Sequence, residues 1–183
     1  MKSEDISRRS FLKRAAALSA AAAIPSFWIP SKANAMPGVP FVSANEKVRI
    51  AFIGIGNRGG EIAQELYKTG LCEVVALCDV DMGAPHTQKL ISMFPKVPRF
   101  KDFRQMFDKM ADKIDAVTVG VPDHAHFPIT IEAMAHGKHV YVEKPMARTF
   151  QEIEVMMRAE KKFGVVTQMG NQGHSEANYF QFK

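Results

Sequence analysis

From residue 47 onward the chain alternates short, nearly unbroken apolar runs with longer amphipathic stretches. Val48-Arg49-Ile50-Ala51-Phe52-Ile53, Val74-Val75-Ala76-Leu77-Cys78 and Val140-Tyr141-Val142 are three such runs. Short runs of this kind, closed by Gly, Pro or Asp, read as strands buried on both faces. They predict strands over 47–55, 73–78, 114–121, 140–142 and 165–169, with a short one at 99–100. The stretches between them predict helices over 58–68, 86–94, 103–110, 128–135 and 150–163, with another beginning at 176–182. Gly70, Gly137 and Gly164 serve as C-terminal stops, and Pro128 falls in a first turn. Strands alternating with helices predict an α/β fold: a doubly wound parallel sheet of the Rossmann type over residues 47–174.

The first thirty-five residues break this pattern. Ser7-Arg8-Arg9-Ser10-Phe11-Leu12-Lys13 matches the twin-arginine export pattern, an alanine-rich apolar stretch follows, and Ala33-Asn34-Ala35 offers a small-x-small cleavage site. Residues 1–35 are therefore expected to be a signal peptide, which places the protein in the periplasm or otherwise outside the cytoplasm. The apolar stretch falls short of the ~20 residues a membrane-spanning helix needs. Residues 36–46 read as a linker.

Removing the signal changes the meaning of the charge. The whole chain has 24 Lys/Arg and 19 Asp/Glu, a net of +5; residues 1–35 hold six of the bases and two of the acids, which leaves the remainder at +1. No basic patch argues for nucleic acid. The two cysteines, Cys72 and Cys78, lie six residues apart on one predicted strand, roughly 20 Å if extended, too far for a disulfide. They read as buried apolar groups.

The chemistry gathers at strand ends. Gly54-x-Gly56-x-x-Gly59 follows the first strand and opens a helix. Gly54 permits a tight turn, Gly56 lets the backbone approach a pyrophosphate, Gly59 lets helix and strand pack closely, and the helix N-terminus offers free N–H groups to the anion. Asp79, 25 residues beyond Gly54, ends the second strand. A carboxylate there suits ribose hydroxyls and repels a 2′-phosphate, which favours NAD, while Arg58 keeps NADP open. Val121-Pro122-Asp123-His124-Ala125-His126 ends the fourth strand, where open α/β sheets hold ligands. His124 and His126 suit cofactor or substrate contact, or equally the polar groups of a loop. No carboxylate or cysteine cluster accompanies them, so no metal site is expected. Lys144 ends the next strand. A lysine there can hydrogen-bond a substrate hydroxyl and tune proton transfer if burial lowers its pKa; on spacing alone it reads as a surface residue before a turn. Asn171-Gln172-Gly173-His174 ends the last strand and can face the same crevice.

Taken together, Gly54-Ile-Gly-Asn-Arg-Gly59, Cys78-Asp79-Val80-Asp81, Pro122-Asp123-x-x-His126, Glu143-Lys144-Pro145 and Gln168-Met-Gly-Asn-Gln-Gly-His174 resemble the Gfo/Idh/MocA family of oxidoreductases, from about Lys47 to the end. The resemblance implies that Gly54, Gly56, Asn57, Arg58 and Gly59 hold the pyrophosphate side of the cofactor and Asp79 the adenosine ribose. It implies that Val121, Pro122, His124 and His126 line the nicotinamide side, with Asp123 standing where the family often has Asn. Glu143 would sit near the nicotinamide ribose, Asn171 and Gln172 at the same crevice, and Lys144 would act at the reacting hydroxyl.

It also implies a C-terminal α+β open-sheet domain. The 183 residues do not hold one, so the expectation is a Rossmann domain with that partner absent and residues 175–183 as its start. The function implied is NAD(P)-dependent oxidation of a sugar or polyol hydroxyl, with the export machinery as partner and a homo-oligomer open at full length. Two alternatives stand beside it. One is an NAD-dependent glycosidase that uses transient oxidation at C3 and elimination. The other is a non-catalytic nucleotide-binding remnant.

Overall fold

A computed structural model describes residues 47–174. The segments read as signal peptide (1–35), linker (36–46) and following helix (176–182) lie outside the described residues. Six strands alternate with five α-helices: β1 (Val48–Ile53), α1 (Asn57–Lys68), β2 (Cys72–Cys78), α2 (Pro85–Met93), β3 (Arg99–Phe100), α3 (Phe103–Met110), β4 (Ala116–Val119), α4 (His126–Ala135), β5 (His139–Glu143), α5 (Phe150–Phe163) and β6 (Thr167–Gly170). The strands form one sheet in the order β3-β2-β1-β4-β5-β6, and every pairing is parallel.

The apolar runs are explained by helices on both faces. On β1, Ile50 and Phe52 face one core with Leu77, Ala63 of α1 and Leu90 of α2. Ala51 and Ile53 face the other with Val117, Met106 of α3, Met134 of α4 and Met156 of α5. Successive side chains of a strand point to opposite faces, so a strand with cores on both sides needs apolar residues at every position.

Several boundaries move for local reasons. The first strand stops at Ile53 rather than 55, because Gly54 at φ 77° leaves the extended region. The fourth spans Ala116–Val119 rather than 114–121: Ile114 closes the 3₁₀ turn Ala111–Lys113, and Asp115 is spent on Arg49. The last begins at Thr167, since the Val165 amide still donates to Glu160 O of the preceding helix. Helix α4 begins at His126, two residues before expected, with Pro128 still in the first turn. Helix α5 keeps its predicted bounds. A Thr149/Glu152 capping box starts it and Gly164, at φ 64°, ends it.

At the end of the sheet opposite the crevice, an ion pair ties the starts of the two central strands, β1 and β4. Arg49 donates from Nη2 to Asp115 Oδ1 (2.6 Å) and from Nε to Oδ2 (3.0 Å), and its amide donates to Oδ2 (2.9 Å). Burial pushes the Asp115 carboxyl up, but the hydrogen bonds and charge of Arg49 hold it below the usual carboxylate range.

Candidate functional site

The strand order reverses between β1 and β4, and the crevice opens there, above the strand C-termini. A cleft of about 680 Å³ lies at this point, lined by Gly54, Gly56 and Arg58, by Asp79 and Asp81, and by Val121, Pro122 and His124. That volume is in the range of small-molecule and cofactor sites.

The three motif glycines have three separate reasons. A Cβ on Gly54 would stand 2.6 Å from the carbonyl of Gly120, so the loops after β1 and β4 touch backbone to backbone. A Cβ on Gly59 would collide with Gly54 O and reach within 3.0 Å of Gly120 O, which is the close helix–strand packing expected of it. A Cβ on Gly56 would strike the imidazole of His86. Beyond the close approach expected of a pyrophosphate, Gly56 makes room for a side chain of α2. Asn57 follows at φ 42°, a left-handed conformation that Asn tolerates better than most residues. Helix α1 has Gly56 as N-cap with no side-chain cap and no acid in its first turn, which leaves that N-terminus to an anion.

Asp79 holds this loop in place. Its Oδ2 accepts from the Ile55 amide (2.9 Å) and its Oδ1 from the Asp81 amide (2.9 Å). Each carboxylate oxygen keeps a lone pair for a hydroxyl. Cys78, just before it, lines the same cleft, and burial pushes its thiol up to about 12, with Asp79 and Asp102 adding to the effect.

The two histidines part company. His124 is exposed and lines the cleft. His126 is corrected: it is 1% exposed, with Nδ1 2.6 Å from Pro145 O and Nε2 2.8 Å from Val121 O. Both partners are carbonyls, which only accept, so the ring nitrogen that carries the proton donates to its carbonyl, and the ring sits wedged between the β4 loop and the β5 loop. His126 stands behind the cleft wall as a tie, and its nitrogens are not offered to a ligand.

At the end of β5 the two motif residues differ as sharply. Glu143 is 4% exposed, and neither carboxylate oxygen has a hydrogen-bond partner among the described residues. The Arg58 Nε lies 3.5 Å from Oε1, close enough for charge attraction and too long for a good hydrogen bond. Lys144 is exposed, and the peptide bond to Pro145 is cis. Asn171 and Gln172 are exposed just beyond β6. His86, Lys101, Phe103 and Ile129 also line the cleft. No motif reading found them, because they come from α2, α4, the start of α3 and the residue Lys101 just before it, through tertiary placement alone.

Among the described residues these features fit a dinucleotide: a glycine cradle, an uncapped helix N-terminus, a carboxylate at the end of β2 and a buried carboxylate without partners at the end of β5. Residues 48–171 match the Gfo/Idh/MocA family model, described as an oxidoreductase family with an NAD-binding Rossmann fold. The chain belongs to this family. Glycosyl hydrolase family 109 protein 1 of Shewanella sp. (strain ANA-3) and an α-N-acetylgalactosaminidase of Shewanella oneidensis are each 30% identical to it over 164 residues. Each match covers 81% of this chain and 35% of the relative, so the chain spans about a third of those proteins' length. Among solved structures, a dehydrogenase from Chromobacterium violaceum superimposes with a TM-score of 0.67 at 25% identity, over 75% of this chain and 39% of that one. This Gfo/Idh/MocA chain is thus an NAD-binding Rossmann domain of an oxidoreductase family.

Proposed function

We propose that the chain supplies the cofactor half of an NAD-dependent oxidoreductase that acts on a hydroxyl-bearing carbon of a sugar or polyol. The observation that carries this is the adjacency of Glu143 and Lys144. A buried carboxylate lacking donors and an exposed amine stand side by side at the end of β5, next to the strand-order reversal. Each residue then has a physical task. The amides from Gly54 to Gly59 and the N-terminus of α1 receive a pyrophosphate. Asp79 accepts adenosine-ribose hydroxyls with the lone pairs that Ile55 and Asp81 leave free. Val121, Pro122 and His124 form the wall beyond. Glu143 accepts ribose hydroxyls on the nicotinamide side. Lys144 donates a hydrogen bond to the substrate oxygen and orients its hydroxyl proton. Bound NAD supplies a hydride acceptor.

Asp79 and Asp81 on the adenosine side repel a 2′-phosphate and favour NAD over NADP. The test is to join the chain to the C-terminal domain that the family resemblance implies and incubate it with NAD and a panel of aldoses, inositols and N-acetylated sugars, reading NADH by absorbance. NADH formed with one sugar class and lost in Lys144→Ala supports the reading; NADH formed equally by Lys144→Ala overturns the role of Lys144.

A second reading is glycoside cleavage without net oxidation, which the two Shewanella relatives favour by their names. Nitrophenol released from a nitrophenyl glycoside, dependent on NAD but without NADH accumulating, distinguishes it. Export by the twin-arginine route is part of the proposal and rests on Arg8 and Arg9. Replacing both with Lys should leave the protein in the cytoplasmic fraction.

A further inference from the structure

Arg58 carries the only charge in the glycine-rich motif, and the sequence leaves it open as a partner for a 2′-phosphate. The structure directs it elsewhere. Its Nε lies 3.5 Å from Glu143 Oε1, and its Nη1 donates to Glu61 Oε2 at 3.1 Å. Glu143 ends β5 and Asp79 follows β2, and the sheet order places β1 and β4 between those strands. Three inter-strand steps put the two carboxylates roughly 14 Å apart. A guanidinium held at Glu143 is therefore on the opposite half of the crevice from the hydroxyl that a 2′-phosphate would replace.

The Glu143 side has the marks of a built position. The carboxylate is buried, neither of its oxygens receives a hydrogen bond of good geometry among the described residues, and the Arg58 Nε–H likewise has no acceptor in good geometry. The backbone of Gly170 closes the space from β6: a Cβ there would stand 2.5 Å from Glu143 Oε1 and 2.7 Å from the Tyr141 hydroxyl. Tyr141 precedes Glu143 by two residues and so shares its face of the strand. Burial, then the charge of Glu143, push the Tyr141 phenol up, while Arg58 pulls it down. A buried carboxylate is costly unless a cation and hydrogen-bond donors compensate it. Arg58 is the cation, and it approaches from α1, a different element.

We propose that Arg58 is a positioning residue for Glu143: its guanidinium compensates the buried carboxylate and holds it aimed, so that Glu143 can accept ligand hydroxyls at the nicotinamide end. This rests on the reading of the crevice as an NAD site. It makes the pair a brace between the glycine-rich loop and the strand that carries Lys144. Arg58 has no part in telling NAD from NADP.

The test is a double-mutant cycle on the 183-residue chain, using Arg58→Gln, Glu143→Gln, the double variant and Arg58→Lys, with two readouts. The first is thermal unfolding without nucleotide. Arg58→Gln strands a buried carboxylate, so it should melt below wild type, and adding Glu143→Gln should raise the melting temperature back. The second is the NAD dissociation constant by calorimetry. Each Gln variant should weaken binding about tenfold and the double variant by little more than either alone, since residues acting as one unit are not additive. Arg58→Lys, which keeps the charge, should stay within about threefold of wild type, and the NADP-to-NAD ratio of Arg58→Gln should equal that of wild type. A double variant that melts no higher than Arg58→Gln overturns the pair, as do additive losses near a hundredfold. Loss of NADP binding alone in Arg58→Gln returns the residue to the phosphate role. Wild-type protein that fails to bind NAD contradicts the site reading instead, and the unfolding cycle still decides the pair.

Discussion

The carboxylate of Asp79 accepts a hydrogen bond from the amide of Ile55 at 2.9 Å, joining the end of β2 to the middle of the glycine-rich turn after β1. The residue best placed to choose the cofactor is thus also a strut of the loop that cradles it. Asp79→Ala should cost about 2 kcal/mol in urea unfolding, the worth of a hydrogen bond to a charged group. The same variant should improve NADP binding relative to NAD by about tenfold, through removal of a repelling charge. A variant that changes selectivity without loss of stability contradicts the strut.

Gly59 and Gly70 give a controlled comparison. A methyl group on Gly59 collides with the Gly54 carbonyl, and backbone cannot move aside as a side-chain tip can. Gly70 sits at φ 72° with nothing near the position of a Cβ. Gly59→Ala should cost about 3 kcal/mol or more by overpacking, and Gly70→Ala only about 1 kcal/mol, for its left-handed conformation. Chemical denaturation followed by circular dichroism ranks the two.

How much of this was legible in the sequence depends on distance along the chain. The bounds of helix α5 are legible to the residue because its stop, Gly164, is local; the Thr149/Glu152 capping box that starts it comes from the structure. The six strands and their parallel arrangement were legible because double-sided burial leaves apolar residues in a row. Strand ends were not: apolar Ile55 prolongs the run of β1 although the chain has already turned at Gly54, φ 77°, and Asp115 looks like strand until Arg49 claims it. The loss is greatest in the site. His124-x-His126 is symmetrical as text, yet one ring lines the cleft and the other is held by Pro145 O, 19 residues away. The placing of His86 against Gly56, and of Gly170 against Glu143 and Tyr141, depends on folding, and no local spacing encodes either contact.

Acid should loosen the fold through Asp115. Its folded pKa is held below the ordinary value, so its contribution is full at neutral pH and is lost as pH falls through that lowered value. Asp115→Asn should cost about 2 kcal/mol at pH 7, less than the ~3–5 kcal/mol of a fully buried pair because Arg49 is partly solvated. The deficit relative to wild type should shrink below about pH 4. Unfolding curves at neutral and acid pH check this, and a constant deficit contradicts it.

Both thiols should be silent in the native protein. Cys78 is buried with its thiol pushed up to about 12, and burial also raises that of Cys72. The thiolate is the reactive form. A thiol reagent at pH 8 should therefore count no cysteines until denaturant is added and then count two. Rapid labelling of the folded chain contradicts the placement of β2 in the core.

The central claim is that the crevice at the β1/β4 reversal binds NAD through this chain's own residues. Calorimetric titration of the 183-residue protein with NAD and with NADP tests it most directly. The account predicts one NAD per chain, binding tighter than NADP and weakened at least about tenfold by Asp79→Ala. No heat and no melting shift with either nucleotide, from protein that is folded and monodisperse, would contradict it.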